Sequence, residues 1–155
     1  MAVSIGFAQF AKRIRRRGDN VEKNSVRAVR KVATRTLIGV AMGTPQNTGK
    51  SVSNWRVGLS RPTSAVIGAY APGKNLGKGN LANAGPVIAA GKAQIARLRT
   101  MSGARSVHIT NSYRSIPFLR SGHSAQQSGD WVSVAVNSAR SELRGVRFLE
   151  TPGPG

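Results

Sequence analysis

The stretch that most constrains this chain is residues 19–42, read as one long helix, with the turn Thr44-Pro45-Gln46-Asn47-Thr48-Gly49 that stops it. Val26, Val29, Ala33, Leu37 and Val40 recur at steps of three and four, and Val32, Thr36 and Ala41 widen the stripe. One face of a 3.6-residue helix is therefore apolar and needs a core. The opposite face carries Lys23, Arg27, Arg30, Lys31 and Arg35 and is almost purely basic. Asp19, with Glu22 three residues on, reads as a D-x-x-E variant of the capping box, with both acids at the positive end of the helix dipole. At the far end Gly43 suits a left-handed C-cap and Pro45 cannot continue the helix.

A chain of 155 residues can bury one ordinary core. With only four Phe, two Trp and two Tyr, that core is expected to be built from Val, Ala, Ile and Leu. The 24 Lys+Arg against 5 Asp+Glu give a formal charge of +19, whose self-repulsion opposes compaction unless a polyanion or an acidic partner neutralises it. Cysteine is absent, which excludes disulfides, thiolate metal sites and Cys nucleophiles. No run approaches the roughly 20 apolar residues of a membrane span. The N-terminus has its apolar part before its basic part, the reverse of a secretory signal, so synthesis in the cytoplasm and no membrane partner are expected.

Ahead of the main helix, residues 4–17 form a second, shorter helical pattern with Phe7, Phe10, Ala11 and Ile14 on one face, and Gly18 separates the two. Residues 1–18 thus read as a basic arm or short helix, 19–146 as a single α+β domain, and 147–155 as an extended Pro/Gly tail. The run Lys12-Arg13-Ile14-Arg15-Arg16-Arg17 admits three readings: a solvated basic arm, a phosphate-contacting segment or an amphipathic helix on a membrane surface. Residues 53–59 and 63–70 alternate like two strands, with Arg61-Pro62 as the hairpin punctuation. Residues 71–80 hold three Gly and two Lys without periodicity and read as a mobile loop.

A second helix is predicted from Pro86 to about Met101, with Ile88, Gly91, Ile95 and Leu98 on one face and small residues permitting close packing. Residues 106–111 read as a third strand and 111–129 as a polar excursion. Residues 131–143 fit two periods, since Val132, Val134 and Val136 alternate while Val132, Ala135, Ala139 and Leu143 have helical spacing. Asp130 as N-cap, continuation of the pattern to Val146 and Gly145 as a stop favour helix. The expected fold is α+β: a long N-terminal amphipathic helix and further helices packed on a small antiparallel sheet, with long assembly loops.

Catalytic constellations are hard to fill. Gly49-Lys50-Ser51 resembles the end of a phosphate-binding loop, but Thr44 stands at the required first glycine and the segment follows a helix rather than a strand. His108 and His123 have no carboxylate nearby in sequence, and three of the five acids are explained by helix starts. No enzyme activity, cofactor or metal is expected. The basic residues are not interleaved with aromatics, so nucleic-acid binding through them would be non-specific and steeply salt-dependent.

Two elements carry a family resemblance. Thr44-Pro45-Gln46-Asn47-Thr48-Gly49 with Ser53-Asn54-Trp55 resembles the "TP-x-x-TG … NW" element of tail-completion and neck proteins of tailed bacteriophages, including the minor tail protein Z type. Asn111-Ser112-Tyr113-Arg114-Ser115-Ile116-Pro117-Phe118-Leu119, Ser121-Gly122-His123-Ser124, Gln126-Gln127 and Gly129 are similar to a second element of that family. The resemblance implies assembly without catalysis: a virion protein of the head-to-tail junction forming a ring, a hexamer, that joins the portal-side connector or adaptor to the tail tube or tail terminator. It implies structural roles for Thr44, Pro45, Thr48, Gly49, Trp55 and Gly122. Subunit or ring contacts are expected at Lys74, Lys78, Tyr113, Phe118, Leu119 and His123. Arg13, Arg15, Arg16, Arg17, Lys23, Arg27, Arg30, Lys31 and Arg35 would face DNA in the channel or an acidic partner. The alternative is a small basic nucleic-acid-binding protein of ribosomal or nucleoid type, which the charge alone fits equally well.

Overall fold

A computed structural model describes residues 6–100, 106–127, 129–144 and 146. The expected helix start at Ser4, the helix limit at Met101, the stop at Gly145 and the tail 147–155 lie outside the described residues. The architecture is α+β, with helices around a two-stranded antiparallel sheet.

The first helix, α1, runs unbroken over Phe7–Gly43, on the order of 55 Å at 1.5 Å per residue. The expected division at Gly18 does not occur. A glycine inside a helix costs only about 1 kcal/mol relative to alanine, and with no proline nearby the hydrogen-bond ladder passes through it. Asp19 and Glu22 are therefore interior residues, and the expected capping box is replaced by a start at Gly6 without a side-chain cap.

At the other end Thr44 is extended, at φ −67° and ψ 125°, and its hydroxyl donates to Val40 O at 2.5 Å. Gly43 is the last helical residue rather than a left-handed cap. Its reason for lacking a side chain is the neighbour, because a Cβ there would lie 2.7 Å from Trp131 Cδ1.

A single helical turn, α2 (Lys50–Ser53), starts at Gly49, whose φ of 80° is left-handed. It takes the place of the expected beginning of a strand, and β1 spans only Trp55–Leu59. Its partner is β2 (Val107–Asn111), antiparallel, in the register Trp55↔Asn111, Val57↔Ile109 and Leu59↔Val107. The expected hairpin with 63–70 is absent: that segment belongs to no strand. Its backbone is held by side chains instead. Ile67 N donates to Asn54 Oδ1 at 2.7 Å and Asn54 Nδ2 donates to Ile67 O at 2.9 Å, while Tyr70 N donates to Ser53 Oγ at 3.1 Å.

The helix α3 (Leu81–Ala96) begins five residues before Pro86, because Asn80 caps it by accepting from Ala82 N at 2.9 Å. It ends at Ala96, short of Met101. Its Ile95 and Gly91 and the following Leu98 are buried as expected. Gly91 lets α1 come close, since a Cβ would sit 2.3 Å from Leu37 Cδ2. The helix α4 (Ile116–Arg120) interrupts the polar excursion and buries Ile116. The helix α5 (Trp131–Arg140), continued by a 3-10 turn at Ser141–Leu143, resolves the ambiguous segment as helix, with Asp130 accepting from Val132 N and Ser133 N.

The core gathers Ala33, Leu37, Val40 and Ala41 of α1 with Val52, Trp55, Val57, Ala84, Val87, Ile95 and Ala135. Val29 and Val32, expected in that core, are only half-buried and line an open groove.

Candidate functional site

The cationic surface is built on α1. Lys12, Arg13, Arg15, Arg16, Arg17, Lys23, Arg27, Lys31 and Arg35 are all exposed along it. Their order on a rigid helix gives a line of positive charge that can meet phosphates or carboxylates, as point contacts that read no sequence. Lys31 is engaged, with Nζ 2.7 Å from Glu142 Oε2. That hydrogen bond, with Arg35 adding a smaller attraction, holds the Glu142 carboxyl below its ordinary range.

Arg30 is the exception to the predicted face. It lies two turns before Leu37, beside the core stripe, and its Nη2 donates to Ala96 O at 2.8 Å and to Leu98 O. A guanidinium closing the carbonyl end of α3 serves the fold, where the helix dipole is negative. The seven-residue spacing to Leu37 places Arg30 beside the core stripe, but nothing in the sequence signals its carbonyl partners.

The expected contact residues fall into different settings. Phe118 is 66% exposed on α4, and Lys74 and His123 are exposed. Tyr113 and Leu119 are half-buried, as is Gly122, expected in a structural role. Lys78 Nζ donates to Gln127 Oε1 at 2.8 Å, so the two loops expected to reach neighbours also hold each other. Loop 71–80, expected to be mobile, is pinned. Leu76 N and Gly77 N donate to Asn47 O and Gln46 O at 3.3 and 3.0 Å, and Asn75 N donates to Asn47 Oδ1 at 3.0 Å.

The residues of the motif, Thr44, Pro45, Gly49 and Trp55, are buried, while Thr48 is exposed. Thr44 belongs to a polar hub with Gln46, Ser53 and Asn54 of the same element and Asn83, each fully buried, and of these sequence reasoning missed Asn83. Trp55 Nε1 donates to Thr44 Oγ1 at 2.7 Å. Asn83 grips both backbone groups of Ala71, accepting from its N and donating to its O at 2.8 Å each, and also accepts from Ser53 Oγ at 3.0 Å. Gln126 does the same to Gln46, accepting from its N at 2.8 Å and donating to its O at 3.1 Å. A side-chain amide carries one donor group and one acceptor at the spacing of a peptide, so it can replace a missing ladder partner. Nothing in the local sequence distinguishes Asn83 from a loop asparagine.

Arg120 and Asp130 form a two-pronged pair, Nε to Oδ1 at 3.1 Å and Nη2 to Oδ2 at 2.8 Å. The guanidinium, then the Ser133 hydroxyl, hold the Asp130 carboxyl far below the usual range. His108 Nε2 shares a 2.8 Å hydrogen bond with Ser106 Oγ. Among the described residues no three His, Cys, Asp or Glu side chains come together to hold a metal, and no helix is long and apolar enough to cross a membrane.

Fold and surface together define a small basic α+β protein with a long cationic helix. No family model, no curated protein and no solved structure matches the chain.

Proposed function

We propose that the protein is a structural subunit of the head-to-tail junction of a tailed bacteriophage, a neck or tail-completion protein that joins connector to tail around the DNA channel. It acts through surfaces and carries out no catalysis. The observation that carries the reading is the contact between the two elements on which the resemblance rests. Gln126 of the second element grips the backbone of Gln46 in the first, 80 residues away, and Ser115 Oγ of the second meets Ser51 Oγ, which lies between the two parts of the first, at 3.0 Å. Elements that belong to one structural unit fit a role in shaping an assembly surface. The exposed line of arginines suits the wall of a DNA channel or an acidic neighbour, and its place is the virion. A closed ring needs two different complementary surfaces on each subunit, for which Phe118 and the 71–80 loop stand available on the exterior.

The test is light scattering of nuclease-treated protein at low and high salt, with negative-stain images of the peak. Discrete rings are expected. A monomer that binds duplex DNA tightly at low salt and releases it at high salt would overturn the reading in favour of a nucleic-acid-binding protein of ribosomal or nucleoid type. In either case, replacing Arg13, Arg15, Arg16 and Arg17 by Gln is expected to lower the slope of log affinity against log salt by about 0.9 for each phosphate that is no longer neutralised.

A further inference from the structure

We propose that α1 is a self-association element, through which two copies of this chain pair antiparallel about a two-fold axis near Val21. This inference stands independently of the phage reading. It starts from an unpartnered apolar seam. Phe7, Phe10, Ile14 and Val21 are 86%, 54%, 51% and 36% exposed, although every one lies on the same side of the helix. Phe7, Ile14, Val21 and Ala28 follow one another at seven-residue steps, the spacing of a helix seam that faces another helix.

The same seam runs on into the open groove. Ser25, Ala28, Val29, Val32, Ala33 and Thr36 form the groove floor, and Val107, Ile109 and Leu143 its walls, with a volume of about 510 Å³. The two ends of the seam differ in size: large side chains project from the N-terminal end, and small ones leave a groove at the other. An antiparallel second copy matches them, with Ile14 opposite Ala28, Phe10 opposite Val32 and Val21 opposite its own counterpart. Both arms fill both grooves at once, because contacts in an antiparallel helix pair are reciprocal. An in-register parallel pair would set arm against arm at one end and groove against groove at the other, leaving both grooves unfilled.

The area suffices. Each aromatic ring can bury roughly 150–250 Å². Two Phe per copy, with Ile14, Val21 and the exposed part of Leu143, bring both copies to on the order of 1,000 Å², the lower bound of a specific interface. Charge sets the condition, since each partner carries +19. Repulsion weakens the dimer at low salt, and screening strengthens it. This is the reverse of the salt dependence of phosphate binding.

Sedimentation velocity over a concentration series, at low and high salt, reads the equilibrium. Association that strengthens at high salt is expected: a dimer where chains are free, and paired rings where rings have already closed. The double variant Phe7→Ser/Phe10→Ser is expected to raise its dissociation constant at least about 100-fold, with the thermal midpoint of the dilute monomer at low salt unchanged because both rings are more than half exposed. The chain has no cysteine, so Val21→Cys gives a clean second readout: a disulfide-linked dimer on mild oxidation, whereas Phe118→Cys gives none. Several results would overturn the inference: a monomer at every concentration and salt; a dimer indifferent to the Phe7 and Phe10 changes; a monomer that adsorbs through those rings to anionic phosphatidylglycerol vesicles; or dimerisation that appears only when residues 147–155 are deleted. Rings formed equally by wild type and the double serine variant would separate the failure of this inference from that of the proposed function.

Discussion

The two halves of α1 are similar in composition and opposite in circumstance. From Val26 onward, Leu37, Val40 and Ala41 are essentially inaccessible, enclosed by α3, α5 and the sheet. Toward the N-terminus the same kind of stripe, Phe7, Phe10 and Ile14, faces outward with nothing from the described residues over it. Both halves have the periodicity of a buried face, so periodicity alone states that a helix has something to cover and leaves open what covers it. The buried half holds the fold together, and the exposed half is the part available for assembly.

The largest expected effect breaks this comparison at its buried end. Leu37→Ala removes a side chain that packs against Gly91 and the core and is expected to cost roughly 2–5 kcal/mol in denaturant unfolding. Ile14→Ala, the same kind of truncation on the same helix, should stay within about 0.5 kcal/mol in the monomer. Equal losses at the two positions would mean that the arm is packed in solution and that the contrast is wrong.

Next in size is the polar hub that meets the end of the buried half. Asn83→Ala leaves both backbone groups of Ala71 and the Ser53 hydroxyl without the partner they have now, and buried groups left unpaired cost about 1–3 kcal/mol. Hydrogen exchange should show the loss concentrated at residues 70–72, with the arm unchanged. A loss spread evenly over the chain would deny the hub its local role.

The contrast also marks what can be read from the sequence. The stripe around Leu37, the stop after Gly43, the strand 106–111 and the cap at Asp130 are legible because each depends on neighbours within a few residues. The class, α+β, follows from them. The hairpin 53–70 misleads because alternation at 63–70 predicts an extended chain, and whether that chain pairs with a strand or with the side chains of Ser53 and Asn54 is decided by residues distant in sequence. The break at Gly18 misleads for the opposite reason: the local penalty is real but small, and continuity on both sides outweighs it. Of the candidate surface, the exposed arginines are legible from helical spacing. Arg30 is not, because its partners are carbonyls at the end of α3 and just beyond it, and the sequence does not state where that helix lies.

The smallest expected effect tests how the buried half is closed by α5. Asp130 caps that helix, and its first residue, Trp131, packs on Gly43 and donates from Nε1 to Val40 O at 3.3 Å. Because the folded-state pKa of Asp130 is depressed by Arg120 and Ser133, the stabilisation is present above the usual carboxylate range, near pH 4, and is lost as pH falls below it. The side chain is 34% exposed, so solvent screening limits the contribution to at most about 1 kcal/mol. Asn is also a good N-cap, so Asp130→Asn keeps the cap while removing the charge. Its stability should match wild type at low pH and fall slightly behind at neutral pH, followed by Trp fluorescence in urea. An unchanged acid dependence in this variant would mean that another carboxylate titrates, and Glu142, held to Lys31 on the exposed side of α1, would be the one to change next.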